Sequence, residues 1–72
     1  DPTLIPGVGT PEPGGLTWYG LLTFLGRVFE QHQVIGCDVM ELASVMDSVA
    51  SEFTAARLVY KLIGYQARAR GW

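Results

Sequence analysis

The sequence has few of the residues that small proteins use as internal crosslinks. Its 72 residues include one cysteine, Cys37, and one histidine, His32. A single cysteine excludes an internal disulfide, and this pair alone cannot complete a Cys/His zinc site. Because domains of this size have thin cores and often depend on such crosslinks or on partners, the sequence predicts oligomerisation or docking onto a larger protein.

Charge is also scarce, since charged residues make up 17% of the chain and hydrophobic residues 49%. The formal net charge of −2 argues against general attraction to nucleic acid. Residues 30–52 contain no lysine or arginine, and residues 57–72 contain no acid. The basic C-terminal end is typical of a helix C-terminus, or else of a docking patch for an anionic partner.

Long apolar runs are missing as well. The longest apolar-rich stretch, residues 16–29, includes Arg27 and is shorter than the roughly 20 residues that a membrane-spanning helix needs. No signal peptide is recognisable. The single thiol is the only feature that bears on location, and it favours a reducing intracellular compartment.

Proline is confined to the start of the chain. All four prolines and four of the nine glycines lie in residues 1–15, which excludes a helix there and disfavours a sheet interior. Three apolar residues, Leu4, Ile5 and Val8, predict that this extended arm lies in a groove of its own domain or of a neighbour. We therefore assign residues 1–15 to an extended N-terminal arm and residues 16–72 to a helical hairpin domain.

A first helix is predicted at about residues 17–34, with Thr17 as its N-cap and Gly36 just beyond its C-terminus. Its apolar residues recur at helical spacing. They are Trp18, Leu21, Leu22, Leu25, Val28 and Phe29.

A second, longer helix is predicted at about residues 38–69. Asp38 and Glu41 resemble a capping box, and Gly71 is placed to end the helix. The apolar residues follow a heptad-like spacing. They are Leu42, Met46, Val49, Phe53, Ala56, Tyr60, Ile63 and Ala67. The fold class is therefore all-α, a short helix and a long helix in a hairpin; a three-helix arrangement with a break near Ser51 is the alternative.

The predicted helices differ in length, at about 27 Å and about 45–48 Å. A two-residue connection makes them antiparallel, so the shorter helix leaves the apolar stretch around residues 58–65 uncovered. That stretch predicts an interface with a partner. The predicted interface residues are Phe53, Leu58, Val59, Tyr60, Leu62 and Ile63, with Leu4, Ile5 and Val8 as anchors of the arm.

No catalytic constellation is recognisable in the sequence. His32 lacks a nucleophile at a known spacing, Cys37 is interpreted as a small buried residue at a turn, and the acids Glu41, Asp47 and Glu52 are interpreted as a solvated face. The glycine-rich stretch GVGTPEPGG has no Gly-Lys-Ser/Thr and does not form a phosphate loop. The sequence thus predicts no enzyme, no catalytic residue, no cofactor and no metal.

The leading hypothesis is a non-enzymatic structural or assembly subunit, which binds copies of itself or a larger assembly such as a viral particle or multi-subunit machine. One alternative is a small nucleic-acid-binding regulator that uses the basic C-terminal end. Its basic residues are Arg57, Lys61, Arg68 and Arg70. Another is a peripheral membrane-surface protein. Its inserted residues are Trp18, Tyr19, Leu22 and Phe29.

Overall fold

The structure is a computed structural model that describes residues 1–72. It contains two α-helices, α1 (Trp18–Gln31) and α2 (Ala50–Arg70), and no strands apart from a single bridge between Val45 and Ser48. The molecule measures 40 × 22 × 17 Å along its principal axes. Neither helix combines the length and the apolarity needed to cross a membrane.

Helix α1 begins where the sequence predicts. Thr17 has extended backbone angles, and its side-chain oxygen accepts a hydrogen bond from the Gly20 N–H at 3.1 Å, so the predicted N-cap is confirmed. The helix ends at Gln31, earlier than predicted, because His32 is extended with φ −134°. Gly36 therefore lies in the following irregular segment and does not cap the helix.

Helix α2 is shorter at its start than the sequence predicts. It begins at Ala50, and its N-cap residue Val49 makes no side-chain capping bond. Asp38 and Glu41, predicted as a capping box, lie instead in an irregular connecting segment (residues 32–49). This segment opens with the β-branched pair Val34 and Ile35, which favour extended backbone over helix. The observed start of α2 at Ala50 is closer to the break near Ser51 in the alternative three-helix prediction.

The C-terminus of α2 is closed by Gly71, as predicted. Gly71 has φ 73°, and its N–H donates to the Arg68 carbonyl at 3.2 Å. The N–H of Trp72 donates to the Ala67 carbonyl at 2.8 Å. Glycine suits this position because the left-handed conformation carries little steric cost for it.

The core between the helices is thin. Its buried apolar side chains are Phe29, Ala55 and Leu62. The ring of Phe29, near the end of α1, lies 5.9 Å from that of Tyr65, near the end of α2. Leu21, near the start of α1, shares a pocket with Leu58, which precedes Tyr65 by about two turns. The two helices therefore run parallel, with their N-terminal ends on the same side. The long connecting segment permits this arrangement, whereas a two-residue turn does not.

Candidate functional site

The N-terminal arm is closed into a loop by the carboxylate of Asp1. One of its oxygens accepts from the backbone N–H and the hydroxyl of Thr3, at 2.9 and 2.8 Å. The other accepts from the N–H groups of Gly14 and Gly15, at 3.1 and 3.0 Å. An ionised acceptor strengthens each such bond. We call residues 1–15 the closed loop, since the same carboxylate joins its two ends.

Gly7 attaches the closed loop to the rest of the chain. Its N–H donates to the Ser51 hydroxyl oxygen at 2.8 Å, and its carbonyl accepts from the Ala43 N–H at 2.7 Å. Ser51 is only 2% exposed. A Cβ at Gly7 would overlap the Ala43 carbonyl oxygen, so only glycine fits here. We call Gly7, Ala43 and Ser51 the Gly7 junction; it joins the closed loop, the connecting segment and α2.

Glu41 has an unusual backbone conformation close to this junction. It and Asp47 are the two non-glycine residues with positive φ, at 67° and 62°. Asp47 is the third residue of a turn in which the Ser48 N–H donates to the Val45 carbonyl at 3.2 Å, a position that favours positive φ. Glu41 lies in no such turn. Positive φ at a non-glycine residue costs about 1–3 kcal/mol and is typical of functional sites.

The Glu41 side chain is exposed. Its carboxylate has no hydrogen-bond partner in the chain, whereas that of Asp1 has four donors. It stands directly after Val39 and Met40, at the carboxyl end of a short apolar run. The arrangement therefore presents a free anionic group, held on a strained backbone beside an anchored junction.

The stretch before Glu41, residues 34–40, is mostly apolar but includes Asp38, and it forms one wall of an open groove of about 430 Å³. Val34, Ile35 and Val39 line it on one side, and Leu62 and Ile63 of α2 line it on the other. Ile35 is 90% exposed. This mostly apolar stretch thus lies open to solvent in this chain.

The predicted interface residues do not form one exposed surface. Leu62 is buried in the core and Leu58 is half-buried. The remaining members of the set on α2 are exposed. They are Phe53, Val59, Tyr60 and Ile63.

The predicted arm anchors Leu4, Ile5 and Val8 are all half-buried. Leu4 and Ile5 line a pocket together with Leu21 and Leu58, so they contact their own chain's helices. Of the two grooves that the sequence left open for the arm, the structure thus places Leu4 and Ile5 in one formed by the same chain.

The residues considered for chemistry are dispersed. His32 is exposed at the end of α1. Cys37 was predicted to be buried at a turn, but it is exposed, because no other element covers the connecting segment. Of the acids predicted to form a solvated face, Glu41 and Asp47 have positive φ and Glu52 is half-buried. No three His, Cys, Asp or Glu side chains lie close enough to share a metal ion.

The residues of the two alternative functions are also dispersed. Arg57, Arg68 and Arg70 are exposed, whereas Lys61 is half-buried. Arg57 lies 6.0 Å from the ring centroid of Phe53, on the side of α2. In the set proposed for a membrane surface, Tyr19 is exposed and Trp18 and Leu22 are half-buried, but Phe29 is buried against α2 and is not available for insertion.

Comparisons with known proteins identify relatives over almost the whole chain. The family model described as the Arginase family matches residues 1–64. An N(1)-aminopropylagmatine ureohydrolase of Synechocystis sp. is 65% identical over 90% of this chain and 21% of that protein. One of Thermus thermophilus is 44% identical over 100% of this chain and 24% of that protein. An agmatinase of Pyrococcus horikoshii is 37% identical over 94% of this chain and 24% of that protein.

The chain spans less than a quarter of the length of these three relatives. No solved structure gives a significant match to the chain.

These matches correct the functional predictions made from the sequence. The hypothesis of a non-enzymatic assembly subunit is wrong, and so are the prediction of no enzyme and the suggestion of a viral particle component, because the relatives are named as ureohydrolases and agmatinases. The nucleic-acid and membrane-surface alternatives are replaced by the same finding.

Sequence reasoning missed three residues that the structure brings forward, namely Asp1, Glu41 and Ser51. The only local signal for Glu41 was its place directly after a short, mostly apolar stretch. No local pattern marks Asp1 or Ser51, because their partners Gly14, Gly15 and Gly7 are 13, 14 and 44 residues away in sequence.

Proposed function

Because the chain belongs to the Arginase family, we propose that it is part of a ureohydrolase, an enzyme that hydrolyses a guanidino compound and releases urea. The printed names of its relatives support this reaction, as N(1)-aminopropylagmatine ureohydrolase and agmatinase. Since those proteins are more than four times as long as the matched region, the active protein in this proposal is a longer polypeptide of which residues 1–72 are a part.

The substrate class follows from the same names. Agmatine and its aminopropyl derivative carry a guanidinium group, which is planar and positively charged. A carboxylate binds such a group well, because two parallel N–H···O bonds match its geometry. The proposal therefore requires an anionic side chain that is free to meet the substrate.

Glu41 is the residue that we propose for this contact. The observation that carries the proposal is its φ of 67° outside any hydrogen-bonded turn. Strain of this kind persists where the surrounding structure holds a residue in place for function. Asp1 is fully engaged by four donors, and Asp47 takes its conformation from a turn. In this proposal the groups that activate water belong to the remainder of the polypeptide.

The remainder of the polypeptide also covers the exposed apolar surface in this proposal. The groove beside residues 34–40 is lined mainly by apolar side chains, and Ile35 and Met40 are largely exposed. Its occupant is the other three quarters of a polypeptide of the relatives' length, since so short a chain cannot cover the groove by itself. The exposed α2 residues predicted as an interface then pack within one polypeptide.

The test is urea release by the full-length protein, with agmatine and N(1)-aminopropylagmatine as substrates. Replacing Glu41 by glutamine removes the negative charge, and we expect about a hundredfold loss of kcat/KM, since truncating a charged contact costs 2–5 kcal/mol or more. The matched control is Asp47→Asn, which removes an acid with the same positive φ. We expect its kcat/KM to stay within about twofold of wild type.

Two results contradict the proposal. One is a folded wild-type protein that releases no urea from either substrate. The other is a Glu41→Gln variant whose kcat/KM equals that of Asp47→Asn, which would remove Glu41 from the substrate contact.

A further inference from the structure

We infer that Ser51 is a positioning residue for substrate binding, which acts through Gly7 and Ala43 on the backbone of Glu41. The inference rests on the proposed function, because it assigns Ser51 a role at the same site. It adds a residue that makes no hydrogen bond to Glu41 and lies ten positions further along the chain.

The connection consists of two short hydrogen bonds in series. The Ser51 hydroxyl oxygen accepts from the Gly7 N–H at 2.8 Å, in a buried position. The Gly7 carbonyl accepts from the Ala43 N–H at 2.7 Å. Ala43 follows Glu41 by two residues, so its amide fixes the end of the strained backbone. These bonds thereby fix the position of Glu41 relative to α2, the 21-residue helix whose second residue is Ser51.

These bonds are the main constraint that the chain places on this part of the connecting segment. Residues 35–42 themselves make no hydrogen bond in the chain, and they are exposed. A non-glycine residue keeps a positive φ only when its surroundings impose it. Removal of the Ser51 hydroxyl leaves the buried Gly7 N–H without an acceptor, and the Gly7 junction then loosens.

The expected effect is on substrate binding more than on the chemical step. In the full-length protein, Ser51→Ala is expected to raise KM for agmatine about tenfold with kcat changed less than about threefold. Ser51→Cys replaces the hydroxyl by a slightly larger thiol, which is a weaker acceptor, so its KM is expected between those of wild type and Ser51→Ala. The cysteine variant also keeps the test valid if the alanine variant does not fold.

A control separates positioning from general loss of stability. Ala55 is buried on α2 one turn after Ser51, and Ala55→Gly destabilises a helix without removing a hydrogen bond. We expect Ala55→Gly to lower the melting temperature and to leave KM unchanged. Hydrogen exchange gives a readout besides activity, since the Ala43 amide is expected to exchange faster in Ser51→Ala and not in Ala55→Gly.

A double variant tests whether Ser51 acts through Glu41. If it does, Ser51→Ala raises KM no further in a Glu41→Gln background, because the two effects are not additive. An additive increase, or an unchanged KM in Ser51→Ala and Ser51→Cys while Glu41→Gln raises it, overturns this inference and leaves the proposed function intact. If the kcat/KM of Glu41→Gln equals that of Asp47→Asn, the proposed function fails and this inference fails with it.

Discussion

The closed loop and the connecting segment both lack regular secondary structure, yet they differ in how they are held. The closed loop has its ends joined by the Asp1 carboxylate and its middle anchored at Gly7. The connecting segment has few bonds to the rest of the chain, and it exposes large apolar residues such as Ile35, Met40 and Met46. The irregular backbone of the closed loop is therefore held by several hydrogen bonds within the chain, whereas that of the connecting segment is held by few.

The difference shows what each region needs. The closed loop makes hydrogen bonds within itself at Asp1 and two to the rest of the chain at Gly7. The connecting segment has apolar side chains that nothing in this chain covers, so it depends on the remainder of a longer polypeptide. The residue that we propose for substrate binding, Glu41, lies in the incomplete region, and its anchor lies in the complete one.

The largest expected effect tests the incompleteness of the connecting segment. Ile35 is 90% exposed in this chain, so Ile35→Ala would be nearly neutral if the exposure persisted. In the full-length protein, where the remainder of the polypeptide covers Ile35, the same change is expected to cost about 3 kcal/mol in the free energy of unfolding. Denaturant unfolding measures it, with Gln33→Ala as the control at a neighbouring exposed polar residue. Equal, small effects of both variants would break the comparison.

The next effect sharpens the account of the closed loop. Gly7→Ala places a methyl group onto the Ala43 carbonyl oxygen and is expected to destabilise the full-length protein by about 2 kcal/mol. Gly9→Ala is the matched control, since a Cβ there meets nothing within 4 Å. Unfolding midpoints of the two variants provide the measurement. A Gly7→Ala protein as stable as the Gly9→Ala protein would show that the Gly7 junction does not anchor the loop.

A smaller effect is expected from opening the loop at its ends. Asp1→Ala removes the acceptor of four hydrogen bonds that lie near solvent, and we expect a loss of about 1.5 kcal/mol in the full-length protein. Glu12→Ala removes an exposed acid of the same loop that has no hydrogen bond, and its effect is expected to stay within about 0.5 kcal/mol. Thermal unfolding distinguishes them. A loop held by packing alone would give two equal values.

The smallest effect lies where the closed loop meets α1. Thr17→Ala removes the side-chain bond to the Gly20 N–H, and loss of such a cap costs about 1 kcal/mol. Thr23→Ala changes an exposed threonine in the middle of the same helix and is expected to be neutral or slightly stabilising. Thermal unfolding of both variants in the full-length protein is the measurement. If Thr17→Ala is as harmless as Thr23→Ala, the cap contributes nothing to the boundary.

Local signals account for the parts of the structure that the sequence predicted well. The Thr17 cap and the Gly71 terminus depend on residues within one helical turn, and both were readable. The start of α2 was not, because apolar residues at Leu42, Met46 and Val49 imitate a helical period in a segment that is irregular. A short apolar run fits a strand or a helix equally well, and the covering elements decide between them.

The candidate site was beyond sequence reasoning for a related reason. Glu41 and Asp47 look alike in sequence, and only backbone angles show that one lies in a turn and the other does not. The sequence indicated Ser51 only as the place of an alternative helix break, and its role depends on Gly7, 44 residues away. The prediction of a non-enzymatic subunit arose from interpreting the uncovered apolar surface as an interface between proteins, whereas the relatives are more than four times as long as the matched region.

The most direct test of the central claim is a crystal structure of the full-length protein with agmatine bound. The account predicts that the Glu41 carboxylate lies about 2.8 Å from guanidinium nitrogens of the ligand, and that Glu41 keeps its positive φ. A bound ligand whose guanidinium contacts other acids, with Glu41 turned away or relaxed to negative φ, would contradict it.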